Sequence, residues 1–235
     1  MIFKKKIGKL TVFIKDNDSF YEKILDEFLS NRMDIKKLLR SEDETKVWLI
    51  DTEKGPMVLK LYVPKTKRFE RILKSLIKRD FYQSLIYRTN NAVIHGASMI
   101  NDIYLLAQKK ICNYAYVHII LMEYIDGIQI RDLEPISDEL KLEITQVIEQ
   151  IHSYDMVSGA PHKENTMLTK DGIKLIDLSG KKCTCVSRAK DRMELQKYLG
   201  IKNTKQDLGY YIYISIKNLK KTFKNIRIKL GLRKP

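Results

Sequence analysis

The chain is poor in the residues that fix a structure covalently or through a metal. Its three cysteines, Cys112, Cys183 and Cys185, cannot form an even disulfide framework, and the Cys183-Thr184-Cys185 pair lacks the second half of a zinc site. They fit a reducing compartment. Long apolar runs are also missing. Behind the basic Lys4, Lys5 and Lys6 only Thr11 to Ile14 interrupts the polar sequence before Lys15 and Asp16, too little for a signal-peptide core. The most apolar stretch, Tyr114 to Ile125, contains His118 and Glu123 and falls short of the roughly 20 residues that span a bilayer. The expectation is a cytoplasmic protein, attached at most peripherally to the inner face of the membrane. Repeats and low-complexity segments are absent as well. Acidic residues are scarce: 29 Asp and Glu stand against 44 Lys and Arg, a formal net charge of +15, and none follows Asp207. Such an excess predicts an anionic partner. No basic-aromatic platform or nucleic-acid motif accompanies it, so nucleic acid is not the expected partner.

What is present describes a globular chain of 235 residues, 44% hydrophobic and 31% charged, enough to bury a sizeable core. Short alternating segments run from Ile35 to Val63 with turns at Glu42-Asp43-Glu44 and Glu53-Lys54-Gly55, an antiparallel meander. A single helix is expected from Lys67 to about Tyr87, because Phe69, Ile72, Leu73, Leu76, Ile77 and Phe81 recur at spacings of three and four. Two more strands are predicted at Ile103 to Gln108 and Val117 to Glu123. Past Gly127 the pattern turns helical: Asp138 begins a capped run with Leu142, Ile144, Val147, Ile148 and Ile151 on its apolar side. Two short strands flank Thr169-Lys170-Asp171-Gly172. The class is therefore α+β, with two lobes and a cleft between them, residues 1–124 forming a sheet-rich lobe and 125–235 a mainly helical one.

Between Val157 and Lys182 lies most of a phosphoryl-transfer site. Such a site needs a carboxylate to orient the acceptor hydroxyl, an amide five residues later, and a second carboxylate at the end of a following strand. Asn165 and Asp177 fill the last two places, but Ala160 stands in the first. Asn165 and Asp177 offer hard oxygen ligands suited to Mg²⁺ with ATP phosphates. His162 is the nearest side chain with base-like chemistry, and packing of its loop is its simpler role. Lys60 sits in the alternating strand Met57 to Tyr62, facing away from Leu59 and Leu61, where a nucleotide site would use it to grip phosphates. Its orienting carboxylate is expected from the following helix, either Glu70 or Asp80. Asp80 falls on the apolar face that begins at Phe69, whereas Glu70 lies about 100° away among Lys67, Arg71 and Lys74, so Asp80 is favoured.

These segments resemble the lipopolysaccharide core heptose(II) kinase family, itself distantly similar to aminoglycoside phosphotransferases and eukaryotic-type protein kinases. The likeness is carried by Asp43-Glu44-Thr45-Lys46-Val47, Leu59-Lys60, Glu123-Tyr124-Ile125-Asp126-Gly127, Ser158-Gly159, Pro161-His162, Asn165, Ile176-Asp177-Leu178-Ser179-Gly180-Lys181 and Ala189-Lys190-Asp191-Arg192. It implies a protein-kinase-like fold and ATP- and Mg²⁺-dependent phosphorylation of the second heptose of the inner core, built on lipid A at the cytoplasmic membrane face. By the same resemblance Lys60 binds phosphates, Asn165 and Asp177 the metal, and the backbone of Glu123 to Ile125 the adenine. The family pattern has aspartate where this chain has Ala160 and glycine where it has Glu164, which predicts nucleotide binding with abolished or weak turnover. No glycine-rich loop lies between Arg40 and Val47, leaving Ser41 and backbone amides to cover the phosphates. The alternative is a pseudokinase serving as a nucleotide- or glycolipid-binding module. The tail from Ile216 sets Leu219, Phe223, Ile226 and Leu230 against Lys220, Lys221, Lys224, Arg227 and Lys229, a basic amphipathic helix suited to an anionic membrane surface.

Overall fold

A computed structural model describes residues 1–231 apart from 67, 78, 79, 134 and 230, with backbone alone at 68, 69, 74, 76 and 77. Among the described residues ten strands and six α-helices follow one another as the strands β1 (Ile2–Ile7) and β2 (Leu10–Lys15), helix α1 (Ser19–Leu29), strands β3 (Ile35–Ser41), β4 (Thr45–Thr52) and β5 (Gly55–Tyr62), and helices α2 (Arg68–Ile77) and α3 (Phe81–Ile94). Then come β6 (Ile103–Ile111), β7 (Tyr114–Glu123), β8 (Ile128–Gln129), α4 (Asp138–Ser153), β9 (Thr166–Thr169), β10 (Gly172–Leu175), α5 (Cys185–Leu199) and α6 (Leu208–Lys229).

The first seven strands form one antiparallel sheet in the order β1-β2-β6-β7-β5-β4-β3. Strict alternation decides which side chains meet which layer. Leu59, Leu105, Ile119 and Leu121 point to one face, where they pack with Ile24 and Leu25 of α1. Leu106 and Ile120 point to the other, into a second cluster in which α3, with Leu85 and Ile86, lies against β6 and which continues to Ile144, Ile148 and Ile151 of α4 and Leu195 of α5. Each such residue contributes on the order of 1.5–3 kcal/mol by leaving water, so the sheet is held from both sides. The fold is the expected α+β, two-lobed one, with an antiparallel sheet lobe followed by a helical lobe.

The expected meander at 35–63 is present as β3, β4 and β5, and the strand pair near 103–123 is the hairpin β6–β7. The single helix expected from Lys67 to Tyr87 is two. Asp80 has extended backbone (φ −59°, ψ 139°) and caps α3 by accepting hydrogen bonds from the Tyr82 and Gln83 amides. A side chain that binds the first free amides of a helix starts a new helix there. The break also dissolves the apolar stripe: Ile72, Leu73 and Phe81 are exposed, and Phe69, Leu76 and Ile77 lie outside the described side chains. Leu142 is also exposed, unlike the buried Ile144, Val147, Ile148 and Ile151 of α4. It sits two residues from Ile144, about 200° around the helix. The N-terminal hairpin β1–β2 and helix α1 are additional to the elements read from the sequence.

Candidate active site

β5 is a central strand, paired with β4 on one side and β7 on the other. With Leu59 and Leu61 committed to the α1 face, Lys60 must project to the opposite side. There its Nζ donates to Asp177 Oδ1 at 2.8 Å, joining residues 117 apart in sequence. The lysine side chain is 15% exposed and the aspartate 49%, so the pair stands at the mouth of a cleft rather than inside a core. Behind it lie Tyr82, Leu85 and Thr89 of α3 with Ile120 and Met122 of β7. A larger hollow of about 520 Å³ between α3, the β1–β2 hairpin and the end of α4 holds none of the candidate catalytic, nucleotide or metal residues.

Asp177 follows β10 with φ of 58°, a left-handed conformation unusual outside glycine. That turn swings its carboxylate out of the line of the strand. The preceding Ile176 amide donates to Asn165 O at 2.9 Å, tying the two expected metal ligands together through one backbone bond. Asn165 Nδ2 in turn donates to Ala160 O at 3.1 Å, and the His162 amide donates to the same carbonyl at 2.8 Å. Both bonds close the loop on the Ala160 carbonyl, while position 160 itself carries only a methyl group. His162 packs its ring edge-on against Tyr198, with centroids 3.9 Å apart. Glu164 faces outward to Arg131 at 3.5 Å.

Asn165 has spent its amide nitrogen on Ala160 O, which leaves its Oδ1 and the Asp177 carboxylate as the oxygen donors of this corner. Two protein oxygens completed by nucleotide phosphates match the habits of Mg²⁺. Among the described residues no cluster of three or more His, Cys, Asp or Glu could cage a metal without such help.

Asp80 is not brought to Lys60 by any contact among the described residues. Besides capping α3, its carboxylate accepts from Gln108 Nε2 at 2.7 Å and lies 3.3 Å from His118 Nε2. Burial opposes its ionisation, but His118 and Gln108 outweigh burial and hold the carboxyl below the usual carboxylate range. The expectation that Asp80 orients Lys60 failed because it assumed one continuous helix. Helix α3 carries no acidic residue at all; its nearest contribution to the pair is Tyr82, whose phenol is pushed up first by burial and then by the Asp177 charge.

Glu123 ends β7, where its Oε2 accepts from the Asp102 amide at 3.0 Å and its own amide donates to Asp102 O at 2.9 Å. Its other carboxylate oxygen lies 3.4 Å from Lys174 Nζ. Ile125, two residues on, is buried. The loop expected over the phosphates closes between β3 and β4, where the Glu42 and Thr45 amides each donate to the other residue's carbonyl.

Two residues of the site were not assigned a role from sequence. Asp191 of α5 is wholly buried and accepts from the Ser158 and Gly159 amides at 2.9 Å each, with His152 Nε2 at 3.1 Å. Beside it, Lys190 Nζ donates to Gly159 O at 2.5 Å. Gly159 itself has φ of 75°, and a Cβ there would come 2.7 Å from Ser179 Cβ. The signal available in sequence was the Ala189-Lys190-Asp191-Arg192 segment, whose role appears only once α5 is packed beneath the loop.

A family model described as lipopolysaccharide core biosynthesis protein (WaaY) matches residues 1–229. Two relatives bear the name lipopolysaccharide core heptose(II) kinase WaaY. One, from Escherichia coli, is 43% identical over 227 residues, covering 97% of this chain and 99% of its own. The other, from Escherichia coli strain K12, is 42% identical over 227 residues, with 97% and 98% covered. Among solved structures, a Rio2 kinase from Chaetomium thermophilum in an ADP/Mg²⁺-phosphoaspartate complex is 13% identical, with a TM-score of 0.49 over 90% of this chain and 70% of that one.

Proposed function

The chain belongs to the lipopolysaccharide core biosynthesis (WaaY) family, and from that membership we propose that it is a kinase using ATP and Mg²⁺, with the second heptose of the lipopolysaccharide inner core as acceptor. The observation that carries this is the Lys60–Asp177 pair at 2.8 Å, with Asn165 one backbone hydrogen bond from the same turn. Lys60 holds nucleotide phosphates against the sheet lobe, and the backbone from Glu123 to Ile125 receives the adenine where residues 1–124 give way to 125–235. Asn165 and Asp177 hold Mg²⁺, which when bound neutralises charge on the transferring phosphoryl group. Asp191 keeps the 158–160 loop rigid, so the acceptor meets a preorganised surface.

What this chain does not supply is a carboxylate at position 160 to receive the acceptor proton. That function is worth roughly 10²- to 10⁴-fold in rate, so the chain binds its ligands and turns over slowly. Glycolipid or nucleotide binding without transfer is the second reading, favoured by Ala160 alone. Phosphate transfer from ATP to dephosphorylated core oligosaccharide separates the two: Ala160→Asp should raise turnover by roughly 10²- to 10⁴-fold, and no transfer by either form would refute the kinase reading. The acceptor sits on lipid A, and the exposed Leu219, Phe223 and Ile226 of α6, beside its lysines, suit peripheral attachment to an anionic membrane surface. Among the described residues no helix is long and apolar enough to cross a membrane.

A further inference from the structure

Lys190 is a half-buried ammonium whose only partner among the described residues is a neutral carbonyl, that of Gly159. Its backbone is not free to drift, because the neighbouring Asp191 is clasped by two loop amides and His152. A partly desolvated cation with no counter-charge is costly unless an anion completes it, and an ammonium has three donors, of which one is spent here. The position is specific: Gly159 immediately precedes Ala160, whose carbonyl accepts from Asn165 Nδ2 at 3.1 Å. Lys190 and Asn165 therefore hold successive carbonyls of the same loop. Position 160 brings no carboxylate, which leaves the remaining donors of Lys190 open to an anionic group of a ligand.

We infer that Lys190 is a phosphoryl-binding residue, its ammonium contacting the terminal phosphoryl group of the bound nucleoside triphosphate from the acceptor side of the cleft, opposite Lys60. This rests on the nucleotide site proposed above. In such an arrangement a charge comes from α5, while His162 of the loop is turned onto Tyr198. It predicts a contact that a nucleoside triphosphate makes and a diphosphate lacks.

The test is competition binding of ATP and of ADP, each with Mg²⁺, to the full chain and to Lys190→Met and Lys190→Arg. Lys190→Met should lose about tenfold in affinity for ATP, the scale of one charge-assisted hydrogen bond, with ADP affinity unchanged. Lys190→Arg should restore most of the difference. An unchanged ratio of ATP to ADP affinity in Lys190→Met would overturn the inference, and so would parallel loss of both, which would mean that the lysine only holds the loop. Failure of the unmodified chain to bind either nucleotide would instead remove the nucleotide site on which the inference stands.

Discussion

At the residue scale the site depends on a few side chains whose partners come from distant parts of the chain. Lys60 could be chosen from sequence because strand alternation forces it away from Leu59 and Leu61. Its partner could not, because Asp177 reaches it only through a left-handed turn at the end of β10. Asp191 was hidden for a related reason: one buried carboxylate in a helix has no sequence signature until the amides of Ser158 and Gly159 are laid over it. Removing it by Asp191→Ala leaves the buried Ser158 amide and the part-buried Gly159 amide without this acceptor, at about 1–3 kcal/mol for a fully buried one. We expect a loss of about 3 kcal/mol in urea unfolding, with ADP affinity falling as the loop loosens; unchanged unfolding would show that the clamp is dispensable.

Among the elements, helices α2 and α3 show how a local polar choice overrides an apolar period. The spacing from Phe69 to Phe81 favours one helix, but Asp80 offers its carboxylate to the Tyr82 and Gln83 amides and starts another. The Asp80 carboxyl titrates lower in the folded protein than its ordinary value. Its ionised form therefore stabilises the fold above about pH 4, the unfolded value, and this contribution is lost as pH falls through the lower native value. Asp80→Asn keeps a capping oxygen but removes the charge that faces His118. It should cost about 1 kcal/mol at pH 7, measured by urea unfolding, and the gap from the parent should narrow as acid protonates Asp80 in the folded protein; a gap indifferent to pH would assign the loss to packing instead. The N-terminal elements follow similar logic. Asp18 caps α1 through the Phe20 amide, and Tyr21, Ile24 and Leu25 repeat at helical spacing, a legible signal beside which the lysines of β1 looked like a basic end. That β1 is an edge strand bearing Lys4, Lys5 and Lys6 is decided by its pairing with β2 alone.

Over the whole molecule, the charge of +15 and the apolar stripe of α6 bear on where the protein works. Leu219, Phe223 and Ile226 remain exposed on α6, so that stretch is not consumed by packing on the helical lobe, while Gly209 near its start lies so close to α5 that a Cβ would come 2.2 Å from Cys185 O. Each Lys or Arg near an anionic surface adds about 1 kcal/mol, and salt screens it. Co-sedimentation with vesicles containing phosphatidylglycerol should be strong at low ionic strength and should wash out at roughly 0.5 M salt; attachment indifferent to salt would speak against an electrostatic surface. The sequence by itself determined the class and the order of the lobes, because strand and helix periods are local and buried faces must follow them. It singled out Lys60, Asn165 and Asp177 as candidates and position 160 as the place where a base is expected, because phosphoryl transfer uses those groups at those spacings. Only the tertiary structure decided that Asp177 is the partner of Lys60, that Asp80 caps a helix, and that α5 carries both the clamp and the cation beneath the loop. Those pairings join residues far apart along the chain, and which of several carboxylates meets a given lysine is set by how the elements pack.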